Sequence, residues 1–351
     1  SPCGRLQVAA IPGKGTHIGT PLRVDRNNRT VATATIDKSS TTIARELGSY
    51  FKGEILSDPF SRSMYSTDAS IYEIEPLLVV YPQDEADVRS CLWFGQKFGV
   101  AVIARGAGSG LAGESLGKAI IMDLSVHMNR VVELDKEHHT VTVQSGVVLD
   151  SLNRALAPHG YRVGPDPASS NRCTVGGMIA NNSSGARSLK YGDTRMNLLA
   201  ARVCLMDGTV TLAHRVKLGG SDHEEKKLEE GFSGKIHREL PELLKKNAAL
   251  IESKRPKTER NRSGYLLYDA LTDGVYDLSK VICGSEGTLG VVTQAVLKVV
   301  PLPGRVGLAA IYFESILDAA KIVPLIRQTN PVTCELMDEQ VMALGKKAAP
   351  H

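Results

Sequence analysis

The order of apolar and polar positions divides this chain into short segments separated by turn residues. Residues 77–81, 100–104 and 119–123 are nearly continuous apolar runs, the pattern of buried strands, and between the first two lies an amphipathic stretch of helical period, 84–98. That is the opening of a βαβ unit. Upstream, Ser40 can cap a helix whose apolar face carries Ile43, Leu47 and Phe51. Residues 1–39 show neither period and read as an irregular leader with room for one short strand.

Downstream the pattern changes to hairpins. Residues 129–134 and 140–144 alternate around a turn at Asp135 and Lys136, and 198–206 and 210–213 do so around Asp207-Gly208. Between them, 148–159 reads as a helix with Leu149, Leu152 and Leu156 on one face, ended by Gly160. The sheet of this half is expected to be antiparallel or mixed. Residues 219–231 are charged and poor in apolar positions, so they read as an exposed loop; 236–253 reads as a helix and 281–300 as a tight turn leading into a long strand. A strand at 306–313, a helix at 315–328 and a further strand at 333–337 read as the first elements of another domain.

Composition narrows the function classes. The chain has 351 residues, 42% hydrophobic and 23% charged, which is ordinary for a globular protein of about two domains. The formal net charge of +4 comes from scattered residues of both signs and does not point to nucleic acid. No apolar run approaches the roughly 20 residues of a membrane span, and no signal-peptide pattern opens the chain, so a cytoplasmic location is expected, with peripheral attachment to a membrane as its variant. The six cysteines form no CxxC pair, and His138 and His139, as neighbours on a strand, would face opposite ways; no metal site is expected.

Three glycine-rich stretches carry the candidate chemistry. Residues 105–118, RGAGSGLAGESLGK, follow a buried strand directly, where glycines commonly let backbone N–H groups cradle phosphate. A Rossmann dinucleotide loop must open a helix, and here another strand follows instead. Residues 164–193, GPDPASSNRCTVGGMIANNSSGARSLKYGD, combine paired glycines with short polar side chains, the composition of a backbone that comes close to a ligand. GSEGTLGVVT begins at Gly284. A basic run, Lys254 to Tyr265, offers Arg260, Asn261 and Arg262 as candidates for an anionic substrate, the alternative being a solvated surface run.

In this order the three stretches resemble the FAD-binding domain of the vanillyl-alcohol oxidase and p-cresol methylhydroxylase superfamily, and most closely its FAD-linked D-2-hydroxyacid dehydrogenase branch, as found in long bacterial proteins that join such a module to an iron–sulfur module. TDASIYEIEP at Thr67 to Pro76 and DLSVHMNRV at Asp123 to Val131 also resemble that branch, and the likeness runs from about Ser40 to about Leu336. The resemblance implies an α+β fold: a p-cresol methylhydroxylase-type FAD-binding domain over 40–304, with a small βαβ-type sheet at about 40–125 and a larger mixed or antiparallel sheet at about 126–304, followed by an incomplete α+β cap domain over 305–351.

By position, the resemblance implies that Arg105, Gly106, Ala107, Gly108, Ser109 and Gly110 hold the FAD pyrophosphate. Pro165, Asp166, Thr174, Gly177, Asn181, Ser184 and Gly185 would line the pyrophosphate and isoalloxazine, and Glu286, Gly287, Gly290 and Val291 the adenine end. No His or Cys lies in 105–118, so dissociable FAD is expected, with Cys173 close to the central stretch.

The family's catalytic and metal-binding cap residues fall beyond the last residue here, and no catalytic base is named; the sequence reads as an N-terminal portion, natural or shortened. The implied activity is oxidation of a D-2-hydroxyacid such as D-2-hydroxyglutarate or D-lactate by hydride transfer to flavin N5, with electrons passed to an iron–sulfur module, a quinone or an electron-transfer protein. The alternatives are a flavin-binding module without turnover and another reaction on the same scaffold, such as aldonolactone oxidation or ether-lipid synthesis.

Overall fold

Two sheets share the chain, and the candidate site lies where they meet. The computed structural model describes residues 39–348 except 259, 260 and 262; the leader ahead of Ser39, together with Arg260 and Arg262, falls outside the described residues. Those described belong to one unit, residues 34–351.

The first sheet contains β1 (Glu54–Leu56), β2 (Leu78–Tyr81), β3 (Val102–Arg105) and β4 (Ile120–Asp123), in the order β1-β2-β4-β3. β4 pairs parallel with both β2 and β3, and β1 is antiparallel to β2. The helix Glu85–Phe98 connects β2 to β3, as its period predicts. Asp84 caps it by accepting from the N–H groups of Ala86 and Asp87, and Gly99, at φ 63°, ends it in the left-handed region open to glycine. This helix and Ser40–Leu47 cover the sheet with Val88, Leu92, Phe94, Ile43 and Leu47, all buried. Phe51 is buried in the same cluster but lies beyond the end of the first helix.

The second sheet contains β5 (Val131–Asp135), β6 (Thr140–Gln144), β7 (Tyr161–Val163), β8 (Leu198–Cys204), β9 (Val210–Lys217), β10 (Leu271–Thr272), β11 (Val275–Asp277) and β12 (Val291–Pro301). Its order is β10-β11-β9-β8-β12-β6-β5, with β7 also pairing β12. All these pairs are antiparallel. β12 pairs with β6, β7 and β8 and is almost wholly buried, Val291 in the core of the first sheet and Val292, Ala295, Leu297 and Val299 in that of the second. The helices Leu149–Leu156 and Val175–Ala180 pack on this sheet through Leu149, Leu152, Leu156, Val175, Met178 and Ile179.

The two halves are tied by an ion pair. Arg202 of β8 holds Glu85, at the start of the first-sheet helix, through Nη2–Oε1 at 2.6 Å and Nε–Oε2 at 3.0 Å, and the Thr293 hydroxyl of β12 donates to the same carboxylate. Burial works against the Glu85 charge, but the Arg202 and Thr293 contacts outweigh it and hold the carboxyl below its ordinary range.

Several expectations are corrected. Residues 221–227 form a helix rather than a loop, burying His223 and Lys226; its acids lie in the first turn and its lysines in the last, which suits the helix dipole and leaves no apolar period to read. The helix expected over 236–253 is two, Gly231–Lys246 and Ala248–Ser253. Residues 306–313 and 333–337 are not strands, since no strand among the described residues pairs with their backbone. His138 and His139 lie in the turn between β5 and β6, where Asp135 binds His138 Nδ1 at 2.7 Å. Among the described residues, no helix is long and apolar enough to cross a membrane.

Candidate cofactor site

Glycines at the end of β3 create the first wall of a cleft between the sheets. β3 and β4 are parallel neighbours joined only by the loop 106–119, so this loop serves two strands, as the spacing implies. It is pinned from the side. Arg105 Nη2 donates to the Thr67 carbonyl at 2.8 Å, and its guanidinium lies 5.0 Å from the Tyr65 ring centre. The Ala69 N–H reaches the Gly108 carbonyl at 2.9 Å, and the Ser115 hydroxyl donates to Asp68 at 2.9 Å. The Thr67–Pro76 segment therefore braces the glycine loop. Gly108 adopts φ +60°, and a Cβ there would come within 2.5 Å of the Arg105 guanidinium.

The opposite wall is the short helix Val175–Ala180 with the turn that follows β11 and precedes β12. Thr174 caps the helix by accepting from the Gly177 N–H, and its hydroxyl would sit 2.2 Å from a Cβ on Gly106, so the two walls meet closely here. The turn is bonded to the same helix: the N–H groups of Gly284 and Glu286 donate to the carbonyls of Ile179 and Ala180, both at 2.9 Å. Glu286 adopts φ +50° within it.

The cleft collects most of the residues that the sequence singles out. Arg105, Gly106, Ala107, Gly108, Ser109 and Gly110 line it from one side. Thr174, Gly177, Asn181, Glu286, Gly287, Gly290 and Val291 line it from the other. Pro165, Asp166, Ser184 and Gly185 do not line it. They meet at a single isolated bridge, where Asp166 pairs with Gly185 and its N–H donates to the Ser184 carbonyl at 3.0 Å. Asp166 also binds Arg187 Nε at 3.1 Å, and burial is the main reason its carboxyl is raised. Asn261 accepts from the Ser263 N–H and is not among the cleft residues.

Sequence reasoning missed six polar residues in the cleft: Glu114, Ser115, Ser145, Ser169, Ser183 and Ser285. Glu114 lies within the quoted glycine stretch and was legible as a charge in it; Ser145 sits at the end of a plain strand and carries no local signal. Cys173 lines the cleft as a buried thiol, pushed up by burial and therefore held protonated.

The walls suit a flavin dinucleotide. A Cβ on Gly177 would meet only the Thr174 hydroxyl, at an ordinary 3.4 Å, so glycine there is not demanded by the protein's own packing and leaves the cleft face open. The Ser145 hydroxyl is buried and has no partner among the described residues. Backbone N–H groups on a glycine loop offer anion binding, and Leu124, Val291 and Val292 add apolar surface for a planar ring.

Comparison with known proteins gives the same reading. Residues 76–213 match the family described as FAD binding domain. The chain is similar to the D-2-hydroxyglutarate dehydrogenase of Pseudomonas putida, 37% identical over 301 residues, covering 85% of this chain and 30% of that protein. It is also similar to the D-2-hydroxyglutarate dehydrogenase of Escherichia coli, 32% identical over 302 residues, covering 85% and 30%. The chain thus spans about a third of the length of these relatives. Among solved structures, alkyldihydroxyacetonephosphate synthase shares the fold with a TM-score of 0.58 and 22% identity, over 83% of this chain and 46% of that one. The family match assigns an FAD binding domain to residues 76–213, and the relatives and the shared fold agree with it.

Proposed function

We propose that this chain is the FAD-binding module of a dehydrogenase that oxidises a D-2-hydroxyacid, with D-2-hydroxyglutarate as the preferred substrate. The observation that carries this reading is the 37% identity, over 85% of the chain, to a protein named D-2-hydroxyglutarate dehydrogenase. When bound, FAD supplies the acceptor for the hydride leaving the substrate α-carbon. The protein's part is placement.

In this reading the backbone N–H groups of Gly106 to Gly110 hold the pyrophosphate, and Arg105 keeps their loop in register by gripping the Tyr65–Thr67 carbonyls. Glu286, Gly287, Gly290 and Val291 take the adenine end. Thr174, Gly177 and Asn181 lie along the middle, and the Asp166–Gly185 pair, with Pro165 and Ser184, borders the isoalloxazine end. Leu124, Val291 and Val292 give the cleft apolar surface against the cofactor. The substrate base is assigned to no residue of the cleft, and the electrons are proposed to pass to an iron–sulfur module, a quinone or an electron-transfer protein.

The test is the visible spectrum of the purified chain reconstituted with FAD, recorded anaerobically before and after D-2-hydroxyglutarate or D-lactate. Bleaching of the flavin bands by D-2-hydroxyglutarate, with a weaker response to D-lactate, is the expected result. Bands that persist with both acids would leave a flavin-binding module whose turnover needs the rest of the protein, and no flavin uptake would overturn the reading altogether.

A further inference from the structure

Four buried side-chain atoms among the described residues lack a hydrogen-bond partner: Ser145 Oγ, Arg195 Nε, His237 Nδ1 and Tyr276 OH. Of these residues only Ser145 lines the cleft. A buried hydroxyl without a partner is costly to a fold, and native proteins keep few of them. Its position is well defined. Ser145 follows β6, its residue is 1% exposed, and its N–H donates to the Thr293 carbonyl of β12 at 3.1 Å. Its carbonyl accepts from the Gly176 N–H at 2.7 Å, and a Cβ on Gly176 would come within 2.8 Å of the Ser145 Cβ. Both backbone groups of Ser145 are therefore committed, and the residue is clamped between the sheet and the helix that form one wall. The hydroxyl is the one group left over.

We infer that Ser145 Oγ is a direct cofactor ligand: the orphaned hydroxyl is completed by a hydrogen bond to a polar atom of FAD when the dinucleotide fills the cleft. This rests on the proposed flavin site and adds to it a contact that the glycine motifs do not contain. A hydroxyl can donate or accept, so it suits a phosphate oxygen, a sugar hydroxyl or a ring nitrogen equally. The clamp matters because a side chain that is already immobile loses little freedom on binding, and its hydrogen bond then contributes fully to affinity.

The inference makes two effects of one substitution run in opposite directions. Ser145→Ala removes only the oxygen. In the FAD-free protein that relieves an unpaired buried group, so the melting temperature is expected to rise by about 2 °C. In the complex it deletes a ligand contact, so the FAD dissociation constant, measured by quenching of flavin fluorescence, is expected to weaken about 3- to 10-fold.

Ser253→Ala, on an exposed helix far along the chain, serves as the control that changes neither. A second variant, Ser145→Gly, should weaken FAD to the same degree even if it lowers the melting temperature. If wild-type protein takes up no FAD, the flavin reading itself fails. If wild type binds FAD and both Ser145 variants bind it as tightly, then water satisfies the hydroxyl as well as the cofactor does, and the inference is overturned.

Discussion

The Glu114 carboxylate accepts a hydrogen bond from the Asn181 amide at 2.6 Å, joining the glycine loop after β3 to the end of the helix Val175–Ala180. The Ala112 N–H donates to the same carboxylate at 3.2 Å, and a Cβ on Gly110 would lie only 1.7 Å from Glu114 Oε1. Glycine at 110 thus makes room for a negative charge beside the loop proposed to hold a pyrophosphate.

Like charges at this range repel, more strongly at low salt. Glu114→Gln keeps the shape of the side chain while removing its charge, and it should tighten FAD binding about 2- to 5-fold at low ionic strength, with a smaller gain at high salt. Titrations at two salt concentrations check this. Weaker binding by the variant would mean that the carboxylate supports the cofactor instead of opposing it.

Two glycines of the cleft should respond differently to the same kind of change. A Cβ at position 177, on the cleft lining, meets only the Thr174 hydroxyl at an ordinary 3.4 Å, so Gly177→Leu should still fold while losing FAD uptake. Gly106→Ala drives a methyl against the Thr174 hydroxyl and should destabilise the protein itself by about 1–2 kcal/mol. Calorimetry with and without FAD separates the two. Flavin content in Gly177→Leu equal to wild type would contradict the placement of the cofactor.

The Glu85–Arg202 pair joins the two halves, and Glu85→Gln should lower stability by about 2 kcal/mol at neutral pH, less than the several kcal/mol of a fully buried pair because the Arg202 side chain is 34% exposed. The Glu85 carboxyl is held below its ordinary range in the fold, so its contribution is complete above the unfolded-state value and is lost as pH falls through the folded one. Wild type and variant should therefore converge in acid. Urea denaturation from pH 7 down into the carboxylate range measures the gap, and a gap that stays constant would refute the assignment.

His237 lies buried with Nε2 at 3.1 Å from the Thr211 hydroxyl and its ring 6.0 Å from that of Tyr276. Burial pushes it down from 6.5 to about 4, helped by the positive fields of Lys226, His214 and His223 and opposed by Asp222. The unfolded chain then binds the extra proton between those values. Stability contributed by the neutral imidazole is present above about pH 6.5 and is lost as pH falls toward 4. His237→Asn should flatten the stability profile in that window, and an unchanged slope would count against it.

How far the sequence alone reaches is clearest at particular elements. β2, the helix Glu85–Phe98 and β4 were legible because each carries its pattern locally, as a continuous apolar strand or a helical period, and so was β3, although it proves to be a half-buried edge strand. The glycine stretches were legible for the same reason, since close backbone approach leaves a compositional trace wherever it occurs. The helix at 221–227 was not, because it buries His223 and Lys226 rather than an apolar stripe, and residues 306–313 carry a strand-like pattern that pairs with no strand among the described residues.

By itself, then, the sequence determined the class of fold, the glycine-lined segments and the family they resemble, all of which depend on neighbours along the chain. Only the tertiary structure decided that Glu114 meets Asn181, that Arg202 meets Glu85 and that Ser145 is left unpaired in the cleft. Those relationships join residues from separate elements, and a side chain's partner across such a distance is set by the packing of the two sheets, which no local pattern encodes.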